Sequence, residues 1–169
     1  MNPLFSYFWP DAAIGVVIGA AAATTFWRRK PGRIGRFLWF DIAIVLTVAA
    51  TLVWSGPLGA GNRFIAQVET AVNRTLAAYE MTQVHARLGR APLTRQIILE
   101  GPADDLQRSE LVRIIGEVRG VSTSTWGYKG GAWPIILEGA LVALAGFLVG
   151  LFLAYLLELH RRYNAQWNW

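Results

Sequence analysis

Residues 134–157 read PIILEGALVALAGFLVGLFLAYLL, with Glu138 as the one charge and only four residues from the start. Two other stretches share this character: Asp11 to Trp27 (DAAIGVVIGAAAATTFW) and Phe37 to Trp54 (FLWFDIAIVLTVAATLVW). At 1.5 Å per helical residue the three measure roughly 35, 25 and 27 Å, bracketing the roughly 30 Å hydrocarbon core of a bilayer. The reading is an α-helical integral membrane protein with three transmembrane helices, at 11–27, 37–54 and 134–157. A buried core helix is rarely as long as the third run. A cleaved signal peptide is a poor reading of the first, because no basic residue precedes it and Arg28, Arg29 and Lys30 follow it.

The composition agrees with that reading. The chain has 169 residues, 54% apolar and 12% aromatic, with eight tryptophans and only 16% charged residues. A soluble domain carries about a quarter charged residues. The absence of cysteine excludes a disulfide framework, a thiolate zinc site and a cysteine-held iron–sulfur cluster.

The net charge of +5 is a topology signal. Five of the 16 basic residues, Arg28, Arg29, Lys30, Arg33 and Arg36, crowd loop 28–36, and Arg161 and Arg162 follow the third run. Short basic loops stay on the cytoplasmic side. The expected location is the bacterial inner membrane, with loop 28–36 and the C-terminus cytoplasmic and with the N-terminus and residues 55–132 periplasmic. The intervening segment carries nine Lys+Arg and seven Asp+Glu, a mixed surface that argues against nucleic acid as a partner. Aromatic residues cluster at the ends of the runs, where an interfacial belt belongs. Trp9, Trp27, Trp54, Trp133, Trp167 and Trp169 are the expected interface anchors, with Phe5, Tyr7, Phe8 and Trp39 in the same belt.

The chain thus divides into residues 1–54 (N-terminal segment and helical hairpin), a small extracytoplasmic α+β domain at 56–131, and residues 133–169 (third span and tail). Within the domain, Ile65, Val68, Val72, Leu76 and Tyr79 recur at helical spacing from about 63 to 80, with Asn62 as the expected N-cap. Val84, Ala86 and Leu88 alternate, Gly89-Arg90-Ala91-Pro92 breaks the chain, and 95–100 forms a second strand. A second helix buries Leu106, Leu111, Ile114, Ile115 and Val118, opened by a capping box from Asp104 and Gln107 and stopped by Gly120. Residues 121–126 make the last strand, so the order is α-β-β-α-β.

Ile97-Ile98-Leu99-Glu100-Gly101, the acidic helix start, Leu111, Ile114, Ile115, Val118 and Gly120-Val121 together resemble the BON domain (bacterial osmotically inducible and nodulation proteins). The resemblance covers residues 63–126, with Ser124 in place of the pattern's final valine and Ile115 where alanine is common. It implies a non-catalytic periplasmic module of envelope proteins that contacts phospholipid or other envelope components.

The residues themselves point away from catalysis. His85 and His160 fall on opposite sides of the expected membrane, so they share no metal, and no histidine lies within a span. Asp104 and Asp105 suit an acid–base pair by type, but their place before a helix favours capping. Ser109, Ser122 and Ser124 have no local base. No catalytic residue, cofactor or metal is expected. Of the acids in the spans, Asp41 is within reach of Arg33 or Arg36, Glu138 lies one turn inside the third span, and Glu158 sits beside Arg161 and Arg162.

Small residues carry the strongest functional signal. Gly15, Gly19 and Ala23 form one row, and Gly139, Ala143, Gly146, Gly150 and Ala154 form another that stays within about 80° of one helix face. Such rows let helix backbones approach closely. They serve either packing within this chain or docking to other integral-membrane subunits. The expected function is a non-enzymatic accessory or structural subunit of a larger inner-membrane complex, with a respiratory or photosynthetic complex as one host type. The alternative is a phospholipid- or envelope-binding module for envelope maintenance or stress, with Arg87, Arg90 and Arg95 as candidate lipid-headgroup contacts. Membrane lipids are the expected partners in either case.

Overall fold

In the computed structural model, residues 2–29, 33–127 and 130–165 are described. Among these residues, five helices and three strands follow one another as α1 (Pro3–Arg29), α2 (Arg33–Ser55), α3 (Ala60–Ala78), β1 (His85–Arg90), β2 (Leu93–Glu100), α4 (Asp105–Gly116), β3 (Thr123–Trp126) and α5 (Ile135–Ala165). Most of the described residues are helical. Among the described residues, three helices, Pro3–Phe26, Leu38–Ser55 and Ile135–Ala165, are long and apolar enough to cross a membrane. The chain forms two compact units: Met1–Tyr7 with Ser55–Glu138, and Phe8–Trp54 with Gly139–Trp169.

The first unit has the order α-β-β-α-β read from periodicity. β2 is its central strand, antiparallel to β1 (Leu88 opposite Ile97) and parallel to β3 (Ile97 opposite Ser124). The tight β1–β2 connection suits antiparallel pairing, whereas β2 to β3 needs a crossover, which α4 supplies. As the central strand, β2 buries Ile97, Ile98 and Leu99 in succession. Its hydrophobic pattern is therefore continuous where β1 alternates.

On α3, Phe64, Val68, Val72 and Leu76 recur every four residues and are all buried. Each contributes about 1.5–3 kcal/mol by leaving water. Phe64, rather than Ile65, leads that row, and Tyr79 is 53% exposed at the helix's end. The cap also differs from expectation: α3 begins three residues before Arg63, behind Gly59 at φ 73°, a conformation that glycine adopts without strain. Asn62 is therefore inside the helix and exposed. On α4 the capping box forms as expected, the Asp104 N–H donating to Gln107 Oε1 at 3.1 Å. Leu111 and Ile115 are buried, Ile114 and Val118 half-buried, and Leu106 is 76% exposed. Five residues at about 100° each put Leu106 about 140° away from Leu111, on the opposite side of the helix.

The largest departure is at the start of α1. The helix begins at Pro3 and runs through Pro10 and Asp11, eight residues ahead of the expected span. Tyr7, expected in an interfacial belt, is 2% exposed and packs its ring 5.6 Å from that of Phe64. Ser6 Oγ donates to Gln67 Oε1 at 3.3 Å. These contacts make the first turns of α1 part of the α3 unit.

Gly120 closes this unit. Its φ is +102°, and a Cβ there would lie 2.8 Å from Val68 Cγ2 and 3.1 Å from Pro3 Cγ. Gly120→Val combines backbone strain with overpacking, and we expect a loss of about 2–5 kcal/mol. Denaturation of the full chain followed by circular dichroism measures it, with Gly127→Ala, at φ +72° and with open space around it, as the comparison that isolates backbone strain.

Candidate functional site

The second unit is built from α1 beyond Tyr7, α2 and α5. Its three helices meet along rows of small or hydroxyl residues spaced by three or four: Asp11, Gly15, Gly19 and Ala23 on α1; Ala43, Thr47 and Thr51 on α2; Gly139, Ala143, Gly146, Gly150 and Ala154 on α5. All are buried. A Cβ at Gly15 would collide with the Ala143 carbonyl oxygen and lie 2.8 Å from the Phe147 nitrogen. A Cβ at Gly19 would collide with the Phe147 carbonyl, at Gly146 with that of Ala12, and at Gly150 with that of Val16. The rows of α1 and α5 are therefore occupied by each other, backbone on backbone. Further along, Ala22, Ala43 and Phe147 form a small apolar core flanked by Ile18, Phe40 and Leu151.

At the other end of these rows lies a feature that sequence reasoning missed. Asp11 is fully buried, and neither carboxylate oxygen receives a hydrogen bond. A Cβ at Gly139 would lie 2.8 Å from Asp11 Oδ2 and 3.4 Å from Thr51 Cγ2, so the carboxyl fills the space that glycine leaves on α5. Thr47 Oγ1 donates to the Ala43 carbonyl at 2.9 Å and Thr51 Oγ1 to that of Thr47 at 3.2 Å. The signal was present, since Asp11 is one four-residue step before Gly15.

The arginines proposed for lipid headgroups are all paired with carboxylates. Arg87 meets Glu100, with both side chains at least half exposed, and such pairs contribute about 0–1 kcal/mol. Arg90 reaches Glu69 at 3.1 Å, whose Oε1 also accepts the Leu88 N–H at 3.2 Å. Arg95 is the most enclosed: its Nη1 lies 2.9 Å from Glu138 Oε2, with side-chain exposures of 20% and 27%, and its Nε donates to the Gly120 carbonyl. Glu138 thus has its partner within this chain, as does Glu158 in Arg162 at 2.9 Å. Asp41 is exposed, and the side chains of Arg33 and Arg36 lie outside the described ones.

A different arginine pair borders an open groove of about 550 Å³ lined by Pro3, Gln67, Thr70, Arg74 and Arg119. Among the expected anchors, Trp9 and Trp133 are 61% and 66% exposed and Trp54 is half-buried. The Trp27 side chain, Trp167 and Trp169 lie outside the described residues. Ser109 donates to the Leu106 carbonyl and Ser124 to that of Val112, so both hydroxyls serve the fold. No group of three or more metal-ligating side chains occurs among the described residues. Compared with protein families, curated proteins and solved structures, the chain matches none.

Two outcomes follow from this geometry. Gly146→Leu with Gly150→Leu forces α1 off α5 and should cost about 2–6 kcal/mol. The detergent-solubilised chain should melt at lower temperature, while Leu148→Ala, on the exposed face, should leave melting nearly unchanged. The Arg95–Glu138 pair should show a coupling of roughly 1–2 kcal/mol in a double-mutant cycle of Arg95→Gln and Glu138→Gln.

Proposed function

We propose that this protein is a non-enzymatic accessory or structural subunit of a larger bacterial inner-membrane complex, with α1, α2 and α5 crossing the bilayer. The observation that carries the reading is the distribution of apolar surface. The small-residue rows are consumed by internal packing, yet Leu38, Ile42, Val45, Leu52, Leu141, Leu148 and Phe152 are all about half exposed or more. Surface of that kind demands lipid or protein cover. With the glycine faces occupied, docking to other integral-membrane subunits falls to these outer faces. The basic loop 28–36 supports a cytoplasmic position for that loop, and hence a periplasmic one for the α-β unit.

The alternative reading, a phospholipid-binding module related to the BON domain, draws support from the groove beside Arg74 and Arg119. Neither arginine has an ion-pair partner among the described residues, in contrast to Arg87, Arg90 and Arg95. Two guanidiniums beside a hydroxyl and an amide suit a phosphate group.

Gentle affinity purification from native membranes separates the readings. A protein recovered in fixed stoichiometry supports the subunit. Recovery alone overturns it, and enriched anionic lipid in that preparation, lost in Arg74→Gln with Arg119→Gln, supports the alternative.

A further inference from the structure

Gln67, Thr70 and Arg74 follow one another at three and four residues along α3, which places them within about 60° of one helix face. Ala66 and Ala71 lie beside them and, being short, leave the depth of the groove open. The facing wall is Pro3, the first residue of α1, and Arg119, in the turn before β3. Gly120 brings that turn in, packing so tightly that a Cβ on it would lie 2.8 Å from Val68 Cγ2 and 3.1 Å from Pro3 Cγ. Three segments distant in the chain therefore border one opening of about 550 Å³.

The charged groups of that opening are donors only. A guanidinium offers five N–H groups and accepts nothing. Among the described residues no acidic side chain lines the groove. The acids nearest in sequence to Arg74 and to Arg119 on their N-terminal sides, Glu69 and Glu117, are engaged by Arg90 and Arg113. Gln67 Oε1 accepts from Ser6 Oγ at 3.3 Å, which leaves the amide NH2 to donate. Two positive charges beside one opening repel each other, and an anion between them turns that repulsion into attraction. Planar guanidinium forks match the oxygens of a phosphate group. A groove of this volume falls within the range of small-molecule sites, about 300–1,000 Å³, so a phosphate leaves room for the alcohol that it esterifies.

We propose that this groove binds the phosphate ester of a small polar alcohol, such as glycerol phosphate, and that the bound ester fastens the first turns of α1 to α3 and to the turn before β3. The proposal rests on the phosphate reading of the groove given above as the alternative function, and adds what binding does. Arg74 and Arg119 take the phosphate oxygens from the two walls. Gln67 sits between the opening and Ser6, so it carries the ligand's hold to α1. A ligand that fits only the assembled arrangement stabilises it. Because α1 runs on from Pro3 to Arg29 as one helix, occupancy of the groove holds the end of a helix whose remainder is apolar.

The test is a titration of glycerol 3-phosphate onto the full chain in a non-ionic detergent, with amide hydrogen exchange as the readout. We expect saturable binding and slower exchange at residues 6–9 of α1. Arg74→Gln and Arg119→Gln should each weaken binding about tenfold or more, whereas Arg87→Gln, at a guanidinium that Glu100 already engages, should leave it unchanged. Reconstitution into vesicles with and without phosphatidylglycerol separates the two sources of the ester. Protection of 6–9 that needs phosphatidylglycerol and both arginines, and that free glycerol phosphate does not give, supports the proposal with a lipid headgroup as ligand. Protection by the free ester alone supports it with a soluble ligand and removes the lipid-binding reading. No arginine-dependent binding of either probe overturns the site. Arginine-dependent binding that slows exchange at 67–74 and 119–121 but not at 6–9 overturns the fastening of α1 and leaves the phosphate reading standing.

Discussion

The backbone contact between α1 and α5 sets the geometry of the helical unit. Gly15 and Gly19 on one helix, and Gly146 and Gly150 on the other, each face a carbonyl so closely that a single Cβ would not fit. In lipid, where apolar side chains gain little by meeting one another, association of this kind rests on close packing and on weak contacts between Cα–H groups and carbonyls. It also fixes register. Sliding either helix by one residue replaces a glycine at the contact with a larger side chain. The fixed register brings Asp11 opposite Gly139 and beside Thr51, so the buried carboxyl is a consequence of where the glycines lie.

The α-β unit balances its charges in another way. Glu69 accepts from both Arg90 and a backbone N–H of β1, and Arg95 is held between Glu138 and the Gly120 carbonyl. Guanidiniums engaged in this way lock elements together and offer less to outside anions. Arg74 and Arg119, on α3 and on the turn before β3, remain available beside the groove. Basic residues near one another in sequence thus divide into fastenings and open cations according to what folds against them.

Much of this was legible in the sequence because it is periodic. The three apolar runs, both small-residue rows, the α-β-β-α-β order and the capping box of α4 are all local patterns. The rest depends on partners distant in the chain. Pro10 and Asp11 read as a boundary, and only the contacts of Tyr7 with Phe64 and Ser6 with Gln67 explain a helix that continues through them. Glu138 lies 43 residues from Arg95, too far for spacing to suggest the pair. Leu106 is apolar and in the first turn of α4, yet about 140° of helix separates it from Leu111, so it faces outward and is exposed. Asp11 continues the row of Gly15, Gly19 and Ala23 one step toward the N-terminus, and its burial depends on Gly139, 128 residues away.

The discontinuity of both units constrains the order in which the protein can be made. Tyr7 leaves the ribosome more than fifty residues before Phe64, and the glycines of α1 more than a hundred before their counterparts on α5. Contacts at such separations close late and slowly. Until the last helix arrives, α1 must wait with its narrow face and its carboxyl uncovered, so the nascent chain needs a shielded place to hold that helix during synthesis.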